Sequence, residues 1–210
     1  MTAPAIRLCL LALMLAAVTF IPASTPTAQA YPEPSIVQRE WQLEFEHDLP
    51  QPIAVRDTLG VVRWYWYITY KVTNNSGQER LFIPELTIAT AEGDIVRAGK
   101  GVPALVFARI KDRTDNRLME SPAQIVGKIL IGEDNARESI IVWPAFEHDV
   151  SAVTVFVGGL SGEATEVQNP ITGSTVLLNK TLMLDFEFPG NPQTPQFQTV
   201  KPTGREWVMR

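Results

Sequence analysis

Cysteine is all but absent from this sequence. The single one, Cys9, lies near the N-terminus inside an apolar stretch, so the rest of the chain can use neither disulfides nor thiol chemistry. Histidine is nearly as scarce, with only His47 and His148. Basic runs are missing too: 18 Lys and Arg stand against 23 Asp and Glu, a formal net charge of −5. A mildly acidic surface without basic clusters argues against nucleic acid and against anionic membranes as partners. The longest apolar run, Leu8–Ile21, falls short of the roughly 20 residues that a spanning helix needs. Catalytic signatures are lacking as well. There is no P-loop, no Gly-x-Gly-x-x-Gly after a strand, no Gly-x-Ser-x-Gly elbow and no His-Glu-x-x-His. No enzyme class or cofactor has a footing in these residues, and a non-catalytic protein without a cofactor is expected.

What is present begins with the first thirty residues. Arg7 leads into the apolar Leu8–Ile21, then into Pro22 and a Ser/Thr/Pro tract, and finally into Ala28-Gln29-Ala30. That is the layout of a secretory signal peptide cleaved after Ala30. An uncleaved anchor is the alternative, and a lipoprotein is disfavoured because Cys9 opens the apolar core instead of closing it. Cleavage removes Arg7 and no acidic residue. The expected organisation is a signal peptide over residues 1–30, one domain over 31–202 with proline-rich ends, and a C-terminal strand or tail over 203–210. The expected location is the periplasm or the extracellular space, with no membrane span after cleavage.

The remainder reads as mainly β. Val61–Thr73 is rich in β-branched and aromatic residues and free of Gly and Pro. Alternation puts Val62, Trp64, Trp66, Ile68, Tyr70 and Val72 on one face, read as core, and Arg63, Tyr65, Tyr67, Thr69 and Lys71 on the other, read as solvated. Asn74-Asn75-Ser76-Gly77 then predicts a hairpin to Arg80–Thr90, and Ala91-Glu92-Gly93-Asp94 a second turn before Ile95 and Val96. Further strands are expected at Ile36–Glu46, Glu138–Trp143, Ala152–Val157, Val176–Phe188 and Glu206–Met209. Between Val102 and Leu130 the period lengthens. Leu105, Val106, Arg109 and Ile110 follow Pro103 at helical spacing, and Ser121-Pro122 opens a second segment of the same kind. The spacing predicts a β-sandwich with one or two short helices inserted between strands. Gly158-Gly159-Leu160-Ser161-Gly162 reads as a flexible turn.

The segment Tyr67–Gly77, followed by Gly132-Glu133 and the strand Ser139–Trp143, resembles the hairpin and later Gly-Glu turn of bacterial extracytoplasmic immunoglobulin-like sandwiches. The resemblance implies a module that binds partners or sits beside other domains without catalysis.

Two constellations are candidate sites. Tyr65 and Tyr67, flanked by Arg63 and Lys71, suit protein contact or carbohydrate stacking if their face is open. The competing reading has the inserted helices or another sheet covering it. Phe-Glu-His-Asp occurs twice, at Phe45–Asp48 and Phe146–Asp149, and takes up both histidines. If the copies met, His47 and His148 could clamp a zinc-like ion with the carboxylates beside them. The plainer reading is two strand ends, each with Phe inward and the polar trio solvated. Asn74-Asn75-Ser76 and Asn179-Lys180-Thr181 fit the glycosylation acceptor pattern, which matters in a eukaryotic host. The expected function is that of an exported, non-catalytic binding or structural module whose partner is a protein or polysaccharide of the envelope. The alternatives are a carbohydrate-binding module and a metal-binding protein or metal-dependent hydrolase.

Overall fold

Alternating apolar residues build strands wherever both neighbours and both faces can be satisfied, and here they do so over most of the chain. The computed structural model describes residues 32–146, 150–188 and 200–210. Its strands are β1 (Glu44–His47), β2 (Gln51–Arg56), β3 (Val62–Thr73), β4 (Arg80–Phe82), β5 (Glu85–Thr90), β6 (Ile95–Arg97), β7 (Gly127–Ile129), β8 (Arg137–Pro144), β9 (Ala152–Gly158), β10 (Ala164–Gln168), β11 (Thr175–Glu187) and β12 (Lys201–Met209), with one α-helix, α1 (Ala104–Thr114), between β6 and β7. None of the described helices is long and apolar enough to cross a membrane.

β3 is the spine of the first sheet. β8 pairs with it antiparallel, and β1 and β2 take successive stretches of it, Tyr70–Thr73 and Val62–Tyr67. In the second sheet β5 pairs with β6 and β9, and β11 pairs with β9, β10 and β12. The sheets face each other across a core in which Trp66, Ile68, Val72, Ile141 and Trp143 meet Ile88, Val155, Val157, Leu182, Leu184 and Phe186. A second apolar cluster lies on the far side of the first sheet, where Ile53, Val55, Tyr65, Tyr67, Ile140 and Val142 pack against Val106 and Ile110 of α1 and against Met119. The architecture is therefore mainly β, a sandwich of antiparallel sheets with a helix laid over one outer face. Pro103 precedes the helix with extended backbone, and Asp115 closes it in the left-handed region (φ 48°).

Several expectations are corrected. The strand expected over Val61–Thr73 forms as Val62–Thr73 with Trp66 buried, but Val62 at its start is exposed rather than core, and the strand forms no hairpin with Arg80–Thr90. Asn74 is fully buried and its Nδ2 donates to the carbonyls of Gln78 and Ile129, both at 2.8 Å, while its Oδ1 accepts from Ser76 N at 3.0 Å. That turn steers the chain out of the first sheet: β4 pairs with β7, and β5 joins the second sheet. The same burial takes Asn74 out of reach as a glycosylation acceptor. The Ala91–Asp94 turn does join β5 to β6. Of the two helices expected between Val102 and Leu130, one forms, as α1. Ser121–Gln124 makes a single turn, with Ser121 N donating to Gln124 Oε1, before Ile125 is drawn into the core and β7 begins. The N-terminal strand starts at Glu44, eight residues later than the apolar pattern of Ile36 suggests, because Ile36 and Val37 find nothing to pack on and are exposed. β2 escapes the sequence pattern because Pro52 interrupts it, which an edge strand tolerates. The glycine-rich 158–162 segment is held tightly: a Cβ on Gly159 (φ 83°) would lie 2.3 Å from the carbonyl oxygen of Ile83.

Candidate functional site

The tyrosine pair is not a surface. Tyr65 and Tyr67 are 4% and 1% exposed, because α1 covers their face of β3. The solvated reading of this face is therefore corrected, and the physical reason is the apolar stripe of α1. Tyr67 donates from its hydroxyl to Gln51 Oε1 at 3.1 Å, and burial raises its pKa. Arg63 remains exposed at the end of the strand, in an ion pair with Asp57 at 3.5 Å.

His47 is half-buried. It faces the core side of β1 beside Phe45 and edge-on to Phe186, with ring centroids 5.9 and 6.0 Å away. Its Nδ1 lies 2.9 Å from the Asp48 carbonyl, the position of a donated N–H, and desolvation holds its pKa below the usual value. Phe45 points inward as expected, and Glu46 is exposed and paired with Lys71. Packing between two phenylalanines is what sets His47 apart from a fully solvated strand end. His148 lies outside the described residues, so the pairing of the two histidines does too. Among the described residues no group of three His, Cys, Asp or Glu side chains is placed to hold a metal.

A polar cleft of about 380 Å³ opens on the outer face of the first sheet beyond the C-terminal end of α1. Its walls carry Glu46, Asp48, Lys71, Asn116 and Glu138, and these pair internally: Glu46 with Lys71, Asp48 with Thr69, and Glu138 with Asn116. A ligand would have to displace bonds already made.

The less expected feature is the hairpin of β10 and β11. Ala164–Gln168 pairs with Thr175–Asn179 in unbroken register, closed by a turn in which Asn169 Oδ1 accepts from Ile171 N at 2.9 Å. Most of its residues are exposed, including Ile171, Val176 and Leu177. It leaves the second sheet as a two-stranded ribbon with water on both sides. At its base is a buried ion pair, Lys180 Nζ to Glu163 Oε2 at 3.0 Å, with side chains 5% and 10% exposed. Glu163 Oε1 also accepts from Ser35 N at 2.7 Å, and the Lys180 ammonium lies 5.3 Å from the Trp207 ring centre. Burial alone would raise the Glu163 pKa. The bonds from Ser35 and the Lys180 charge outweigh it and hold the carboxyl below its usual value.

No family model, no curated protein and no solved structure matches the chain.

Sequence reasoning missed the ribbon, although a signal for it lay in the residues. Glu163 and Lys180 bracket a run, Ala164–Asn179, in which Glu166 is the single charge, and Asn169-Pro170 with Thr172-Gly173 supplies turn chemistry in its middle. The Val176–Phe188 strand expected here starts at Thr175, but its partner β10 lacked enough apolar residues to register as a strand.

Proposed function

We propose that the chain is exported and that its processed part is a non-catalytic binding module, with the β10–β11 ribbon as its contact surface. The observation that carries this reading is the ribbon itself. Two strands alone are marginal in water, and an exposed apolar hairpin gains most when something packs on it. Arg7, Leu8–Ile21 and Ala28–Ala30 support export, to the periplasm or beyond. The antiparallel sandwich, whose chain passes between sheets after β3, between β6 and β8, and again after β8, supports an immunoglobulin-like reading of the fold. Carbohydrate stacking loses its two tyrosines to α1, and no aromatic stands among the exposed large apolar side chains described. A protein of the envelope is therefore the favoured partner over a polysaccharide.

Fractionating producing cells, sequencing the N-terminus of the recovered protein and measuring its native mass tests the proposal. A chain outside the cytoplasm that begins near Tyr31 and runs heavier than the purified protein is expected. An intact Met1 in the soluble cytoplasmic pool would contradict it.

A further inference from the structure

We propose that the outer edge of β10 captures an extended strand of a partner protein that places a Lys or Arg opposite Glu166. The inference rests on the binding-module reading above and names the chemistry of the partner.

Backbone phase fixes which groups are open. Lys180 N donates to Glu163 O at 2.9 Å, and Asn169 N donates to Ser174 O at 2.8 Å, so bonding between the two strands falls on the odd-numbered residues of this lane. Asn179, opposite Ala164, directs both its N–H and its carbonyl to Arg210 instead, at 2.7 and 3.0 Å. Strand alternation then turns the N–H and C=O of Ala164, Glu166 and Gln168 away from β11. No bond to these groups occurs among the described residues.

Three other edges of the sandwich are blunted. Along β8, Gly99 N donates to Val142 O and Glu120 N donates to Glu138 O, both at 2.8 Å. β2 carries Pro52, whose carbonyl accepts from Arg113 at 2.7 Å, and β12 carries Lys201, Pro202, Arg205 and Glu206. β10 has no proline, no lysine and no bulge. Edges of this kind pair with another strand, and main-chain bonds then supply the affinity while alternate side chains supply the choice of partner.

The side chains indicate which strand. Thr165, Val167, Val176 and Leu178 share one face of the ribbon, and Glu166 shares the other with Leu177. Glu166 is exposed and makes no ion pair among the described residues. A strand laid beside β10 puts one residue next to this carboxylate and β-branched residues beside Thr165 and Val167. A cation there is favoured over an anion, and a chain with 23 acidic against 18 basic residues favours the same sign. A second copy pairing antiparallel about Glu166 would set two carboxylates against each other, so the occupant is a different chain.

The test uses the purified protein, the peptides acetyl-Thr-Val-Lys-Val-Thr-amide and acetyl-Thr-Val-Glu-Val-Thr-amide, and residue-resolved amide exchange. In the free protein Thr165 and Val167 should exchange slowly and Ala164, Glu166 and Gln168 fast. The lysine peptide should slow the latter three and bind about five- to tenfold more tightly than the glutamate peptide. Glu166→Lys should reverse that order. Glu166→Pro removes an N–H that β11 does not use, so it should keep the fold and abolish protection. Absence of binding at millimolar peptide, protection elsewhere, indifference to the peptide's charge, or a doubling of mass through this edge would each overturn the inference. If the peptides fail while the protein from cells still runs as a heavier complex, the edge assignment falls and the binding-module reading stands.

Discussion

Burial decides what single residues do here. Lys180 and Glu163 are an ion pair taken out of water, so truncating one partner strands the other. Lys180→Met should cost about 3–5 kcal/mol in denaturant unfolding, and adding Glu163→Leu should restore much of it. Among the groups with lowered pKa values, His47 and Glu163 make stability fall with acid in separate windows. His47 has a lowered pKa in the folded protein, so its contribution is complete above the ordinary value of 6.5 and is lost as pH falls through the lowered one. Glu163 behaves in the same sense below its ordinary 4.5. Thermal melts across pH should show a first decline starting near 6.5 that His47→Gln removes, and a second below 4.5 that it leaves. A first decline that persists in His47→Gln would refute the assignment.

At the scale of elements, the strongest lesson lies in β3. Its length and alternation were legible because β-branched and aromatic residues repeat with period two. Which face was open was not, because both faces are apolar enough to pack and the covering helix lies about forty residues away in sequence. The turn after Thr73 was equally legible as a turn and illegible as a crossing, since Asn74 reaches a carbonyl of residue 129 that no local pattern reveals. Of the candidate site, Arg63 and His47 were visible as residue types, whereas the ribbon's exposure is a property of what fails to pack on it. The helix layer has a direct consequence. Tyr67→Ala should destabilise the protein by about 3–5 kcal/mol, much like Trp66→Ala, because both rings fill closed cores. Ile110→Asp on α1 should expose Tyr65 and Tyr67 to the quencher iodide without abolishing the sandwich. Equal quenching of parent and variant would show that the helix does not seal this face.

As a whole, the molecule is a sandwich whose first sheet is packed on both faces and whose second sheet runs on into an exposed two-stranded ribbon. On the reading proposed above, this nearly uncharged hairpin left in water is where the protein meets another surface. In-cell photocrosslinking from Gln168 on β10, with Arg109 on the exposed side of α1 as the comparison, tests this most directly. The account predicts one discrete heavier species from Gln168 that disappears in Glu166→Pro, and none from Arg109. Crosslinks that are absent from Gln168, or the same from both positions, would contradict it.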